Sequence, residues 1–297
     1  MDGLLVIDKP AGPTSHDVIV RMRRALKERR IGHTGTLDPA ATGVLLLVVG
    51  RATRLARFLS SADKQYEAIV RLGVSTDTAD AAGEPIGTPY AGALPGRGTI
   101  DAALDAFRGT FLQRPPAFSA KKVGGTRSHR LARADRAPVH EPVSVTARAI
   151  DLVGVDRDRV TLRVDCSAGF YVRSLAHDLG QRLGTGAHLI ALRRTRSGDY
   201  TLDDALGLDV AERDARESAG RLIPLARMLP RVAALTLNTD GVRRAINGCL
   251  LGPADVVPPS QLHADAELIR MLDAAGNLVA IGRPAAGGLL HPSVVLM

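Results

Sequence analysis

"GHTGTLDPAATG", residues 32–43, packs three glycines, one histidine and one carboxylate into a short span, with Asp38 set directly before Pro39. A residue before proline is pushed out of the helical region into extended geometry, so the Asp38 side chain is held in a restricted direction. Gly32, Gly35 and Gly43 permit tight turns and close approach by another group. Three readings compete: a phosphate cradle, a structural Asp-Pro turn, and a loop that presents Asp38 to a substrate. The cradle is the weakest, because GxxxxGK(S/T) is absent from the chain and no intact GxGxxG follows a strand. Between the other two, local rules favour the turn without deciding the matter.

The flanking sequence reads as a sheet with a basic helix beside it. "GLLVID" (3–8) and "GVLLLVVG" (43–50) are short apolar runs bounded by Gly and Pro, the pattern of buried strands. "TSHDVIVRMRRALKERR" (14–30) predicts a helix capped by Thr14 or Ser15, with Val18, Met22, Ala25 and Leu26 on one face. Six basic residues, Arg21, Arg23, Arg24, Lys27, Arg29 and Arg30, occupy its other positions, either as a solvated face or as a phosphate-binding one. "YEAIVRLG" (66–73) alternates as a strand, and further strands are expected at 145–155 and 159–166. Helices are expected at 100–109, closed by glycine, and at 171–184, where Val172, Leu175, Leu179 and Leu183 make an apolar stripe.

Residues 114–136 stand apart, with seven basic residues against the single acid Asp135, together with Pro-Pro and Gly-Gly. This reads as a mobile basic loop inserted into a folded domain. After about residue 230 short apolar runs, "AALTL", "LIRML", "NLVAIG" and "SVVLM", suggest a small β-rich domain, with a turn at "DAAGN".

Composition bounds the function. The 297 residues are 45% hydrophobic but only 3% aromatic, so a sizeable core must be built from Leu, Val, Ile and Ala. The net charge is +8, and residues 231–297, with five arginines and five acids, contribute nothing to it. The excess lies in residues 1–230, as a polyanion-binding region requires. Two distant cysteines, Cys166 and Cys249, offer neither a disulfide framework nor a zinc site. HExxH and GxSxG are absent, which weakens metalloprotease and hydrolase readings. No apolar run approaches the ~20 residues of a membrane span, and the N-terminus lacks the pattern of a signal peptide, so a cytoplasmic location is expected.

Taken with "KPAGPTSHD" (9–17), "YEAIVRLGVSTDTAD" (66–80), "GFYVRSLAHDLG" (169–180) and "LRRTRSG" (192–198), the opening stretch closely resembles the bacterial TruB family of tRNA pseudouridine synthases. The likeness runs in order over about residues 1–230 and includes the basic insertion. It implies an α+β pseudouridine synthase fold: a large, mainly antiparallel mixed sheet flanked by helices, a thumb inserted at about 114–140, and a small PUA-like β domain at 231–297. It also implies isomerisation of a T-loop uridine of tRNA, conventionally position 55. The N1–C1′ bond breaks, the uracil turns, and C5 joins C1′. Such a reaction calls for no metal or other cofactor. The implied partner is the tRNA T-arm, with no membrane, and the protein is expected as a monomer.

Residue by residue, the resemblance makes Asp38 the catalytic carboxylate and Arg173 its partner, a guanidinium that holds it bidentately and ionised. Tyr66 matches the tyrosine that stacks on the target base and is implicated in removing its C5 proton, and Leu192 matches the apolar residue beneath that base. His33 matches a histidine that fills the space of the flipped-out base, and Lys9 the first family motif beside the active-site strand. Lys121, Lys122, Arg127 and Arg130 would clamp the T-arm backbone. Phe118 and His129 stand where the family commonly has tyrosines. The rival expectation is an RNA-binding or tRNA-chaperone protein acting without catalysis.

Overall fold

The apolar run after the N-terminus forms strand β1 (Gly3–Lys9), and Thr14 then caps helix α1 (Ser15–Ala25). The Thr14 side chain accepts from the Asp17 backbone N–H while the Asp17 carboxylate accepts from that of Thr14, a reciprocal capping box. A computed structural model describes residues 1–118, 122–123, 126–128, 140–257 and 266–297, with the backbone alone at 122, 123, 126 and 127. Val18, Ile19, Met22 and Leu26 bury one face of α1. The helix is shorter than its 14–30 expectation. Leu26 caps it, Lys27 takes a left-handed φ of 49°, and the Arg23 guanidinium donates to the Ile31 carbonyl at 2.8 Å. The chain thereby returns as a short strand, β2 (Ile31–His33), which is too brief to carry a periodic signal.

Strand β3 (Thr42–Val49) follows the Asp38 loop, and the short helix α2 (Ala56–Ser60) leads into β4 (Lys64–Leu72). Helix α3 (Arg97–Leu104) begins three residues before its expected start and passes into a tight turn at Asp105–Phe107. Gly109 then opens strand β5 (Gly109–Gln113) rather than closing the helix. The long strands β6 (Val143–Asp156) and β7 (Arg159–Cys166) form a hairpin. Helix α4 (Val172–Leu183) ends on left-handed Gly184, and β8 (Ala187–Ser197) and the short β9 (Leu206–Gly207) complete the main set.

These strands build one ten-stranded sheet in the order β9-β1-β3-β8-β4-β7-β6-β5, with β2 paired to β3 and Tyr200–Thr201 paired to β8. All pairings are antiparallel except β1 with β9 and β3 with β8. The β3–β8 junction joins the two halves of the sheet. There Gly43 has φ +100°, and a Cβ at this position would sit 2.2 Å from the Arg194 carbonyl oxygen. A side chain is excluded twice, by backbone conformation and by the facing strand. Gly43→Ala should therefore lower the unfolding free energy by about 3 kcal/mol, read as a reduced urea midpoint with an unchanged m value.

From Ala233 a second, five-stranded sheet forms, from β10 (Ala233–Leu237), β11 (Val256–Val257), β12 (Ile269–Leu272), β13 (Leu278–Ala285) and β14 (Leu289–Val295). Its strand order is β11-β10-β12-β13-β14, and the 273–277 turn connects β12 to β13. Leu278, Ile281, Val294 and Leu296 share a buried cluster with Leu4, Val6, Val44 and Leu46, so the small sheet packs on the large one. Of the basic insertion, Lys122–Val123 and Thr126–Arg127 pair as a two-stranded ribbon. Lys121, His129, Arg130, Arg133 and Arg136 lie outside the described residues, as do the side chains of Lys122 and Arg127. Among the described residues no helix is long and apolar enough to cross a membrane.

Candidate active site

The loop between β2 and β3 that carries Asp38 is tied down through its backbone. The Ser15 hydroxyl, 2% exposed, donates to the Leu37 carbonyl at 3.0 Å and accepts from the Leu37 N–H at 2.8 Å. The Gly12 N–H donates to the Pro39 carbonyl at 2.9 Å. Lys9, at the end of β1, is fully buried, and its Nζ donates to the carbonyls of Pro10 (2.8 Å), Pro39 (3.1 Å) and Ala41 (2.8 Å). An ammonium has three donors, and all three are used on backbone. Burial draws the Lys9 pKa down to about 8, opposed by the nearby Asp38 charge. Lys9, of the motif beside the active-site strand, lies beneath the loop and holds the backbone that carries Asp38. The "KPAGPTSHD" motif is thus a mount for residues 37–41.

Arg173 meets Asp38 from α4. Its side chain is 6% exposed, and Nε lies 3.0 Å from one Asp38 carboxylate oxygen while Nη2 donates to the other at 3.4 Å. This is a side-on bidentate pair, the geometry in which guanidinium best holds a carboxylate. The remaining donors are also engaged. Nη2 donates to the Phe118 carbonyl at 2.7 Å, and Nη1 donates to the Thr78 carbonyl at 3.2 Å and lies 3.4 Å from an Asp80 carboxylate oxygen. Asp80 in turn accepts from the Thr78 hydroxyl and the Ala82 N–H. Gln113 clamps the start of α4, donating to the Tyr171 carbonyl at 3.0 Å and accepting from the Tyr171 N–H at 2.8 Å.

An open cavity of about 250 Å³ lies over this pair, lined by Asp38, Tyr66, Tyr171, Arg173, Leu192 and Arg194 among others. Tyr66 (β4) and Leu192 (β8) are half-buried and pack against two of the buried core clusters, so they form a stiff apolar floor. Burial pushes the Tyr66 phenol up, while the Arg194 guanidinium opposes that shift. Lys64 also lines the cavity; its Nζ is bound to the Ser60 and Ala62 carbonyls, and burial lowers its pKa to about 8.

Of the residues singled out in the sequence, the structure brings together Asp38, Tyr66, Arg173 and Leu192. His33 sits at the end of β2, half-buried, accepting at Nδ1 from the Gly35 N–H at 3.3 Å; its neighbour Thr34 lines the cavity. Asp80, Gln113, Lys64 and Arg194 went unremarked in the sequence. Arg194 stands among Arg193 and Arg196 with no local mark of its burial, and nothing local distinguishes Lys64 or Asp80 from their polar neighbours. Among the described residues no three His, Cys, Asp or Glu side chains gather at metal-binding spacing.

The chain is similar to known proteins over most of its length. Residues 23–172 match the family model for the TruB family pseudouridylate synthase N-terminal domain, and residues 173–229 match that for the tRNA pseudouridylate synthase B C-terminal domain. The tRNA pseudouridine synthase B of Solibacter usitatus (strain Ellin6076) is 44% identical over 298 residues, covering 100% of both chains. That of Ralstonia nicotianae (strain ATCC BAA-1114 / GMI1000) is 42% identical over 298 residues, covering 98% of this chain and 92% of the relative. Among solved structures, a chain of the archaeal box H/ACA sRNP Nop10-Cbf5 complex superposes with a TM-score of 0.73 at 25% identity, covering 99% of this chain and 86% of that one. A chain of an H/ACA RNP bound to a substrate RNA containing 2′-deoxyuridine gives 0.72 at 24% identity, with 99% and 85% covered, a likeness of fold. With both family models adjoining at the arginine that grips Asp38, this chain belongs to the TruB family of pseudouridylate synthases.

Proposed function

We infer that this protein isomerises a uridine of tRNA to pseudouridine, with Asp38 as the reacting carboxylate. The observation that carries the reading is the Asp38–Arg173 pair in a cavity floored by Tyr66 and Leu192. A guanidinium on both carboxylate oxygens fixes the direction of the carboxylate, which a nucleophile or base at the ribose requires. Asp38 has two routes to the N1–C1′ bond: attack at C1′, or proton removal that drives elimination to a glycal. Either one needs the carboxylate charged and fixed in direction, and Lys9, Ser15 and Gly12 supply the fixing. Tyr66 then stacks on the base and accepts its C5 proton.

The cavity volume lies below the ~300–1,000 Å³ of typical small-molecule pockets, which suits one nucleoside reaching in from a chain that stays outside. A uridine of the T-loop at position 55 fits this reading if the base is flipped out, at a cost of a few kcal/mol. His33, beside the cavity wall, would stack in the vacated space. The cations Arg173, Arg194 and Lys64 around a single carboxylate favour an anionic ligand. A non-catalytic RNA binder would have no use for Asp38 there, since a carboxylate repels phosphate. The test is direct: incubation with a T-arm stem-loop should yield pseudouridine at the position of U55, and binding without conversion would leave the chaperone reading standing.

The thumb is assigned to the phosphate backbone. Affinity for the stem-loop should therefore fall steeply with salt, as counterion release requires. Neutralising Lys121, Lys122, Arg127, Arg130 and Arg133 together should reduce the log–log slope by up to about 3.5, at roughly 0.7 per contact on single-stranded RNA. An unchanged slope would move the contact to another basic surface, such as Arg24, Arg29 and Arg30 beyond the cavity.

A further inference from the structure

Arg194 is the largest fully buried side chain of the described residues, and its surroundings are unusual for an arginine. It is 2% exposed, with Nε donating to the Val44 carbonyl at 2.7 Å and Nη2 donating to the Gly35 carbonyl at 3.0 Å. Neither acceptor is charged. A guanidinium buried without a carboxylate partner carries a desolvation cost that packing does not require. Its position explains what the charge is for. In the β4–β8 ladder Arg194 stands directly opposite Tyr66, and directly opposed residues project to the same face with their Cβ atoms about 5 Å apart. Both line the catalytic cavity. The two carbonyl anchors, one on β3 and one on the Asp38 loop, prevent the guanidinium from swinging out to solvent.

We propose that Arg194 is a positioning residue for proton removal, holding its fixed positive charge against the Tyr66 phenol so that the phenolate can form and accept the C5 proton. This rests on the reading of Tyr66 as proton acceptor. Once the C5–C1′ bond has formed, C5 is tetrahedral and still carries its hydrogen, and C6 is doubly bonded to N1. The phenolate oxygen takes that hydrogen as a proton. The C5–H electron pair becomes the C5=C6 bond, and the C6=N1 π pair moves to N1, which takes a proton from water. Tyr66 returns its proton to water, so the isomerisation gains and loses none.

The need for help is physical: burial raises the phenol pKa, which would leave almost no phenolate near neutrality. The groups facing Tyr66 are Arg194 from β8, Cys166 from β7 and Asp38 from the loop. Burial pushes the Cys166 thiol up to about 12, so it stays neutral, and Asp38 opposes a phenolate. Lys64 is nearby on β4 itself, with its ammonium held by the Ser60 and Ala62 carbonyls. Arg194 is thus the cation that favours the phenolate.

The experiment compares Arg194→Gln, Arg194→Lys and Tyr66→Phe in single turnovers on T-arm stem-loops carrying uridine, 5-deuterouridine or 5-fluorouridine at the target. With fluorine at C5 there is no proton to remove, so conversion stops after the C5–C1′ bond forms and reports Asp38 chemistry alone. Arg194→Gln should be slower on uridine by about a hundredfold, the scale of a general-base contribution, yet within about threefold of wild type on 5-fluorouridine. It should show a larger C5-deuterium isotope effect, and the pH at which its uridine rate levels off should move upward, because the phenolate forms less readily. Arg194→Lys, which keeps the charge, should fall between and carries the test if the Gln variant does not fold. Equal losses on uridine and 5-fluorouridine would make Arg194 a loop anchor only and overturn the proposal. A Tyr66→Phe variant without selective loss on uridine would instead remove the proton-acceptor reading beneath it. Selective loss in Tyr66→Phe but not in the Arg194 variants would overturn the Arg194 role alone.

Discussion

Asp38→Asn is expected to reduce pseudouridine formation to background while T-arm affinity stays within about tenfold, or ~1.4 kcal/mol. The amide keeps the size of the carboxylate and one oxygen acceptor for Arg173. It also leaves the mount intact, since Lys9, Ser15 and Gly12 bind the backbone of residues 37–41 and not the Asp38 side chain. What disappears is the negative charge that either route to the N1–C1′ bond requires. Single-turnover assays and filter binding on the same stem-loop separate the two effects. Retained turnover would remove Asp38 from the chemistry.

Arg173→Lys is expected to cost at least about a hundredfold in kcat with little change in RNA affinity. The guanidinium meets five acceptors on four residues from three segments: Asp38 twice, Thr78, Asp80 and Phe118. A lysine offers one nitrogen, so it can keep the charge near Asp38 but cannot hold the carboxylate's orientation while also engaging Asp80. Full activity in Arg173→Lys would mean that charge alone suffices and that the side-on pairing is incidental. Asp80→Asn provides a companion readout, since it loosens Arg173 from behind without touching Asp38.

The two carboxylates and the arginine illustrate how far a single chain can be read. Asp38 and Arg173 lie 135 residues apart, and local rules gave the first only as an Asp-Pro turn and the second as a charge on a helix. The family likeness joined them. Strands with strong apolar patterning, such as β1, β3 and β4, were readable because burial imposes period and composition directly on them. β2 was not, because three residues make no period, and the helix before it was read too long because Lys27 carries no sign of its left-handed conformation. Arg194 and Lys64 resisted for a different reason. Basic residues are normally on the surface, and here the acceptors that permit burial come from Val44, Gly35, Ser60 and Ala62 only after the chain has folded.

The seat of Lys9 also gives the molecule a built-in chemical reporter. Few amines compete for an acylating reagent, because the chain has only five lysines. Lys27 is exposed, whereas Lys9 is sealed beneath Pro39 and Ala41. Lys9 is fully buried with all three Nζ donors used on backbone carbonyls, so access limits its modification. Lys9 should therefore label only during the excursions in which the Asp38 loop lifts away from β1, and its labelling rate should measure how often that happens. Lys27 should label at once, and a bound T-arm stem-loop that presses on the loop should slow Lys9 selectively. The mount that holds the reacting carboxylate still would then become the clock for its rare departures.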